Sequence, residues 1–577
     1  MIIFMLLLLQ TPLFTPITDS PVTTMGGDSR SVNWFDFDQD QDLDLFISNG
    51  KEGGENNFFY LNNGDGTFTF LDSLVICKDG SPSDGATVGD INNDGYPDLF
   101  VSTWYGVKNF LYLNDQGKRF IQMDDSPAMT DLSYAETGTF GDVNRDGWLD
   151  LYVTISAGSL RNLFYLNDGT GGLVKQSTTG VINPRLPSRY ADFADLNGDG
   201  WQDLIVTNEN NQPENLFLNG PAGFTSSAPA SLTSLKGNTA SGSIEDVDND
   251  GDFDLILANY NSERNHLLIN DGNLGWTKMA TAPWTTDPAN SFGTAPGDVD
   301  NDGDLDLLIT NAFSANGSRL VNYLYLNDGL GNFTRSETGL PADSGWVYGA
   351  AFADYDLDGD LDVAMAGCFD KTENNRLYLN NGNPNHWIQL NLTGIQSNRS
   401  GIGAIVHLYS QTNGKPLHQT RRLAGQSGYS GQTLRIHAGL GDATVIDSLV
   451  IFWPSGIRQT LIQVQADQLL NVTESSTPLS IPVDQPEKSF RINHIYPNPF
   501  NPEATMEFTV NQFMPGNALL VAVFDMAGRL VLSEQIPVSK PGLHSWTLVA
   551  GSFSSGHYLI RLSSGSRFDA RRITLVK

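Results

Sequence analysis

The chain has 577 residues, too many for a single core, and its 58 Gly, 31 Phe, 18 Tyr and 10 Trp suit many short strands and turns. Sixty-six acids against 33 bases give a formal charge of −33, which argues against nucleic acid or an anionic membrane as a partner. Cys77 and Cys368 lie far apart and read as free core residues; a disulfide between them is the alternative if the two ends of the repeat array described below meet.

The opening MIIFMLLLLQTPLF carries an apolar run of eight residues, Ile2–Leu9. It is too short to span a bilayer and has the character of the hydrophobic region of a secretory signal. Residues 1–12 are therefore expected to be a signal peptide. No Lys or Arg precedes Arg30 and there is no small-x-small cleavage box, which points to a truncated leader. Export fits the loops that follow, since low-affinity calcium sites use the calcium found outside cells.

From Asp36 one phrase repeats. It reads DFDQDQDLDL at Asp36, DINNDGYPDL at Asp90, DVNRDGWLDL at Asp142 and DLNGDGWQDL at Asp195. It continues as DVDNDGDFDL at Asp246, DVDNDGDLDL at Asp298 and DYDLDGDLDV at Asp354. The starts are 54, 52, 53, 51, 52 and 56 residues apart, a near-constant period that marks a repeat architecture.

Oxygen-bearing side chains fall at loop positions 1, 3, 5 and 9. In order these are Asp36, Asp38, Asp40, Asp44; Asp90, Asn92, Asp94, Asp98; Asp142, Asn144, Asp146, Asp150; and Asp195, Asn197, Asp199, Asp203. The last three loops supply Asp246, Asp248, Asp250, Asp254; Asp298, Asp300, Asp302, Asp306; and Asp354, Asp356, Asp358, Asp362. Alternating Asp and Asn on a tight loop can aim three side chains at one point. A carbonyl at position 7 and the side chain at position 9 complete the roughly 6–8 oxygens that Ca²⁺ takes.

A single acidic turn can be solvated surface, but all 28 positions keep an oxygen ligand, 25 Asp and 3 Asn. A solvated turn has no reason to hold that spacing. Up to seven Ca²⁺ are expected, favoured over Mg²⁺ by ligand number and loop flexibility. Position 6 is Gly in every loop but the first, which has Gln41. If that position needs a left-handed backbone, Gln costs on the order of 1 kcal/mol, so loop 1 is the weakest expected site. Position 12 runs from Ile47 to Met365 and is apolar throughout, where an EF-hand has Glu. Each loop therefore feeds a strand.

A second phrase follows each loop, as in NNFFYLNNGDGTF from Asn56, RNLFYLNDGTGGL from Arg161 and VNYLYLNDGLGNF from Val321. Alternating apolar residues ending in Asn-Asn-Gly or Asn-Asp-Gly read as a β-hairpin with a structural turn. Four antiparallel strands per period of about 50 residues make one blade of a β-propeller. The loops and their FGD, GD or AD lead-ins resemble the FG-GAP (VCBS) repeats of integrin-type propellers, and that resemblance spans residues 13–385.

Repeats 1 to 6 each end on a fourth strand, for example RFIQMDDSP from Arg119, whereas LYLNNGNPNHW in repeat 7 runs straight on. LFTPITDSP, Leu13–Pro21, matches RFIQMDDSP in its Phe and its closing Asp-Ser-Pro. Residues 13–21 are therefore expected to complete repeat 7 and hide both sheet edges. Any leader cleavage then falls before about Leu13, and Phe14 should be buried.

Past Gly382 the phrases change. NHWIQLNLTGIQSNRSGIGAIVHLY and SGYSGQTLRIHAGLGDATVIDSLVIFWPSG resemble the ASPIC/UnbV domain of the cartilage acidic protein family, over residues 386–474. Arg399, Arg421, Arg422 and His437 suggest an anion site, with a solvated β-surface the favoured account. ESSTPLSIPVDQPEKS reads as a linker over 475–489. IYPNPFNPEATMEFTV, VAVFDMAGRLV, GLHSWTL, SGHYLIRL and RRITLVK imply a small Ig-like β-sandwich over 490–577. In that order they resemble the C-terminal sorting domain of type IX secretion substrates. The resemblance implies export through the Sec route and then across the outer membrane of a Gram-negative bacterium.

No Gly-x-Ser-x-Gly elbow, His-Glu-x-x-His pair or Cys/His nucleophile set appears. The expected fold is all-β: a seven-bladed propeller, a small β-rich domain and an Ig-like sandwich, with no transmembrane segment in the mature chain. The expected function is a secreted or surface calcium-binding protein, not an enzyme, acting in cell adhesion or in binding an extracellular protein or glycan. Trp104, Tyr105, Tyr260 and Trp284 are its candidate ligand-face aromatics. The alternative is a calcium-dependent carbohydrate-active enzyme such as a polysaccharide lyase.

Overall fold

A computed structural model describes residues 12–475 and 490–577, apart from 160, 183–184, 273, 286–289, 313–319, 337–339, 341–343, 370–372, 499, 511–517, 526–528, 539, 541, 552 and 565–566. The expected signal peptide up to residue 11 and the expected linker from 476 to 489 lie outside the described residues. The chain divides into two units, Met1–Pro478 and Leu479–Lys577. Among the described residues no helix is long and apolar enough to cross a membrane.

The first unit contains one antiparallel sheet per repeat. Repeat 2 is typical, with strands Ser83–Gly89, Asp98–Thr103, Phe110–Asn114 and Phe120–Gln122 paired in sequence order. Leu99, Phe100 and Val101 on its second strand are fully buried, because both faces of the sheet pack on neighbouring sheets. The first strands, which begin at Ser29, Ser83, Ala135, Ser188, Thr239, Ser291 and Val347, touch one another in that order, and the last touches the first. The seventh sheet takes its fourth strand from the N-terminus. Phe14–Pro16 pairs antiparallel with Arg376–Asn380, Phe14 opposite Asn380 and Pro16 opposite Tyr378. Phe14 is 2% exposed and packs near Phe352. Both findings agree with the expectation drawn from the Phe and the Asp-Ser-Pro ending.

Neighbouring sheets are fastened by a device that the sequence reading took for turn chemistry. The position-9 Asp of every loop accepts two backbone N–H groups: that of position 2 in its own loop and that of the Asn closing the third strand. Asp98, for example, accepts from Ile91 at 3.0 Å and Asn114 at 2.8 Å. The same pair recurs at Asp44, Asp150, Asp203, Asp254, Asp306 and Asp362. Each of those Asn residues then donates its side-chain amide to the position-2 carbonyl of the preceding repeat. Asn114 reaches Phe37, Asn167 reaches Ile91, Asn219 reaches Val143 and Asn270 reaches Leu196. Asn327 reaches Val247, Asn380 reaches Val299, and Asn62 returns to Tyr355 in repeat 7. The chain of bonds thus comes back to its start.

Residues 386–475 continue the first unit with two sheets around a core of Ile388, Leu390, Val406, Ile436 and Ile451. Cys77 and Cys368 are buried and free, as the simpler sequence reading had them. The second unit holds a three-stranded sheet, in which Glu503–Val510 pairs with Phe490–Tyr496 and Gly542–Val549, and a four-stranded sheet centred on Ala518–Asp525 and Gly556–Ser564. Phe508, Val521, Val523, Ile560 and Ile573 share its core.

Asn327→Ala should be costly. It leaves the carbonyls of Val247 and Leu305, 2.8 and 3.1 Å from the amide, without that donor, a loss of about 1–3 kcal/mol in urea unfolding. Asn332→Ala, on the exposed hairpin five residues on, should stay within about 0.5 kcal/mol of the parent.

Candidate metal centres and the segment that covers them

Each loop turns because its position-1 carboxylate accepts the N–H of position 6. The bonds run from Gln41 to Asp36, Gly95 to Asp90, Gly147 to Asp142, Gly200 to Asp195, Gly251 to Asp246, Gly303 to Asp298 and Gly359 to Asp354, at 2.6–3.1 Å. Position 6 is left-handed in all seven, with φ between 86° and 103° at the glycines and 78° at Gln41. The backbone requirement inferred from the glycines is therefore present, and Gln41 meets it. Position 4 is left-handed as well, from Gln39 to Leu357, a constraint the residue types there (Gln, Asn, Arg, Gly, Leu) do not announce.

The loops fall into two classes according to position 3. Where it is Asp, ligand atoms gather within 4.8 Å of one another: Asp36, Asp38, Asp40; Asp246, Asp248, Asp250; Asp298, Asp300, Asp302; and Asp354, Asp356, Asp362. In all four the position-3 carboxylate has a buried oxygen without a partner, Oδ1 of Asp38, Asp248, Asp300 and Asp356, and Oδ1 of Asp36 and Asp298 are equally bare. Where position 3 is Asn, its amide donates to the position-5 carboxylate, Asn92 to Asp94 at 3.0 Å, Asn144 to Asp146 at 2.8 Å and Asn197 to Asp199 at 3.2 Å. An internal donor there occupies oxygens that a cation would use. Loop 1, which the sequence ranked last, belongs to the first class.

Burial pushes the loop acids up. Asp298 rises to about 7 through burial, against the pull of Arg421 and with the push of Asp300. Asp302 rises to about 8 through burial and then the charges of Asp300 and Asp298. A buried acceptor without a donor costs about 1–3 kcal/mol and more when charged. A hard dication with oxygen preference is the group that answers several such acceptors at once, so the donor sets of loops 1, 5, 6 and 7 fit a metal.

The segment after Gly382 lies over these loops. The Gly439 N–H donates to Asp298 at 2.9 Å, and the Gln389 side chain donates to Asp354. Ser400 Oγ accepts from the Asp90 N–H at 2.8 Å. The position-6 carbonyls of loops 6, 7 and 1 meet Arg421 (3.1 Å), His437 (3.2 Å) and Arg435 (2.7 Å). Arg421 and Arg422 are therefore not the solvated surface expected from the sequence. Arg422 is held by the Ile244 and Phe193 carbonyls and by Asp192, because the face that carries these residues packs on the repeats. Arg399 remains exposed.

From the same segment a loop enters between the first strands. Gly431–Thr433 pairs parallel with Val32–Trp34. Thr87 donates to the Gly425 carbonyl at 2.6 Å, and the Gly428 N–H to the Gly242 carbonyl at 2.8 Å. Only glycine fits at Gly425 and Gly428, where a Cβ would stand 2.0 and 1.9 Å from the carbonyl oxygens of Phe140 and Thr294. At the tip Tyr429 Oη lies 3.0 Å from Asp84 and 2.8 Å from Glu136. One phenol proton serves two carboxyl groups. Burial and the Glu136 charge push Asp84 up; Glu136 is also buried, but Arg189, 3.0 Å away, holds it down. Of the aromatics expected on a ligand face, Trp284 is fully buried against Tyr325 and Phe333, while Tyr105 is 38% exposed.

Repeated four-stranded sheets with an acidic loop after each first strand define a repeat protein of the β-propeller-like class. The FG-GAP-like repeat family matches residues 36–101, 142–206, 195–257, 246–309 and 311–365, together just over half of the chain, and the chain belongs to that family. The ASPIC and UnbV family matches residues 394–479, and the secretion system C-terminal sorting domain matches 494–576. The chain is 28% identical to cartilage acidic protein 1 of Homo sapiens over 193 residues, 31% of this chain and 28% of that protein. It is 27% identical to the Mus musculus protein over 194 residues, 32% of this chain and 29% of that one. The chain thus spans less than a third of these relatives. The structure of PorZ, a surface component of the type IX secretion system of Porphyromonas gingivalis, covers 95% of this chain and 81% of its own at 10% identity, with a TM-score of 0.21, too low to carry an argument. The sorting domain marks a secreted or cell-surface bacterial protein.

Tyr429→Phe removes the hydroxyl that Asp84 and Glu136 share. Stability should fall by about 1–3 kcal/mol, measured by thermal unfolding against the parent chain.

Proposed function

We propose that this is a calcium-binding, seven-bladed β-propeller protein of the outer cell surface or medium of a Gram-negative bacterium, non-catalytic and acting in adhesion or in binding a protein or glycan. The observation that carries the metal assignment is the set of bare, buried carboxylate oxygens at position 3 of loops 1, 5, 6 and 7. The cyclic contacts of the first strands support seven blades, and the two sheets of residues 490–577 support an Ig-like sandwich. Sevenfold repetition favours structural metals over one privileged catalytic metal. The ligand surface is the end of the sheets away from the covered loops. There Tyr105 and Phe369 are each 38% exposed, Trp104 packs edge-on to Tyr105 and Tyr134, and Arg30 and Arg189 lie over Tyr348 and Tyr260. A glycan and protein array with and without Ca²⁺ tests the reading. Binding without turnover supports it, and degradation of an acidic polysaccharide would establish the lyase alternative instead.

Terbium or calcium titration should resolve four tighter sites and up to three weaker ones. Asp300→Ala should remove one of the tighter class, and Asn197→Ala should leave that class at four. Saturation at 100 times the dissociation constant stabilises by about 2.7 kcal/mol per site, so EDTA should lower the melting temperature strongly, with Ca²⁺ restoring it better than Mg²⁺. In EDTA the sign of the pH dependence is set by acids raised above the ordinary Asp value near 3.9. The chelated fold is most stable below about pH 4 and loses stability as pH climbs through 7–8, where Asp298 and Asp302 must ionise without a counter-ion. A melting curve indifferent to EDTA at pH 8 would remove the metal assignment. Because the covering segment bonds the loops directly, chelation should also raise amide exchange over residues 424–433.

Deleting residues 494–577 should hold the chain in the periplasm with its calcium response intact. Normal surface delivery of the shortened chain would refute the assigned route.

A further inference from the structure

Position 7 divides the loops as position 3 does. The loops with Asp at position 3 carry Asp42, Asp252, Asp304 and Asp360 there, and those with Asn carry Tyr96, Trp148 and Trp201. The three aromatic loops are consecutive, so the loop end of the first unit has an acidic arc and an aromatic arc. Position 7 offers a cation its backbone carbonyl and not its side chain. Metal binding therefore does not account for the aromatic rings. The position-7 side chain lies toward the hairpin of its own sheet, as Asp252 does beside Gly272, Asp304 beside Gly329 and Trp148 beside Gly169.

Tyr96, Trp148 and Trp201 are all partly exposed. Single exposed aromatics are ordinary, but a run of them on neighbouring loops marks an interaction site. These loops are tied side by side. Asn93 donates to the Gly147 carbonyl at 2.9 Å, and the Arg145 guanidinium stands 4.4 Å over the Trp201 ring. Among the described residues no N–H of Arg145 meets an acceptor. Asp94, Asp146 and Asp199 of the same loops are exposed. Arg145 also lines a cleft of about 360 Å³ that opens between loops 3 to 5 and the segment after Gly382, with Asp199, Asp252, His407 and Phe452. Phe452 is 40% exposed, and the cleft is within the size range of ligand sites, about 300–1,000 Å³.

A ligand for this arc covers aromatic faces with C–H groups, accepts hydrogen bonds from Arg145 and donates them to carboxylates. A hydroxyl both donates and accepts, and a pyranose ring adds an apolar C–H face. An anionic polymer would meet the exposed carboxylates, and a cationic one would set its charge against Arg145. We propose that Tyr96, Trp148 and Trp201 form a platform for a neutral polysaccharide laid across loops 2 to 4, with one sugar ring in the cleft against Arg145 and Phe452. The platform is at the opposite end of the sheets from Tyr105. None of its five side chains is a candidate metal ligand, so it adds a site to the proposed function without resting on the metal assignment.

The test titrates the full chain in Ca²⁺ buffer by calorimetry with cellohexaose, maltohexaose, mannohexaose and xylohexaose, and with hexagalacturonate and hexalysine as charged controls. At least one neutral probe should bind saturably and more tightly than either control. Trp148→Ala and Trp201→Ala should each weaken that binding about tenfold, and Trp201→Phe should recover most of it. If an alanine variant does not fold, fluorine NMR of the fluorotryptophan-labelled parent chain decides, with the Trp148 and Trp201 resonances expected to shift on titration. Failure of every neutral probe to bind, tighter binding of a charged control, or undiminished binding by the folded alanine variants would overturn the proposal. A shift at Trp104 in place of Trp148 and Trp201 would put the glycan at the other end of the sheets and overturn it as well. The melting response to EDTA, recorded on the same chain, reports the metal assignment separately.

Discussion

The structure depends on a carboxylate that ties two stretches of backbone together. At position 9 an Asp buried at the start of the second strand accepts one N–H from its own loop and one from the end of the third strand. A buried carboxyl in that setting needs such donors. The two bonds bring loop and hairpin together, and that places the hairpin Asn where its amide reaches the preceding loop's carbonyl. Loop shape, hairpin position and inter-sheet contact are thus one arrangement repeated around the first unit. Asn62 meets Tyr355 by the same bond that joins every other pair, so the chain of bonds returns to its start.

The acidic loops and the segment after Gly382 are a second linked system. Position 1 serves the loop turn through Oδ2, the same oxygen that the covering segment bonds in loops 6 and 7, while its Oδ1 accepts the position-5 N–H in loops 2, 3, 4, 5 and 7 and has no partner in loops 1 and 6. Loops 6 and 7 use the covering segment directly, through Gly439 on Asp298 and Gln389 on Asp354. Arg421 stands 3.9 Å from Asp298, both nearly inaccessible. The two form no close pair, so the guanidinium tempers the field of that loop without supplying the oxygen-bound charge its cluster lacks. The inserted loop carries this coupling into the centre, ending with Tyr429 on a carboxyl pair balanced by Arg189 and Arg30.

Much of this was legible because it is local and repeated. The 51–56 residue period, the Asp spacing, the Gly at position 6 and the alternating strands are short-range patterns, and each has one geometric meaning. The N-terminal fourth strand was legible too, since a missing strand at one end and a matching phrase at the other describe a single edge. Arg421 and Arg422 were misplaced because a β-strand's two faces look alike in sequence until one knows what lies against them, and Trp284 because an aromatic in a short turn gives no sign of the core it enters. The hairpin Asn was seen at every repeat but read as turn chemistry. Its constancy beyond what an Asn-Gly turn requires was the available signal.

The sequence by itself determined the repeat, the loops, the strand order within each sheet and the three-part composition, because these follow from backbone chemistry over a few residues. Only the tertiary structure decided that Gln41 adopts the glycine conformation, that the segment after Gly382 covers the loops, and that the SGYSGQT phrase enters between the first strands. Those outcomes depend on contacts between residues 50 to 400 positions apart. Burial and partner geometry there set the energy of each charge and amide, and no local pattern encodes them.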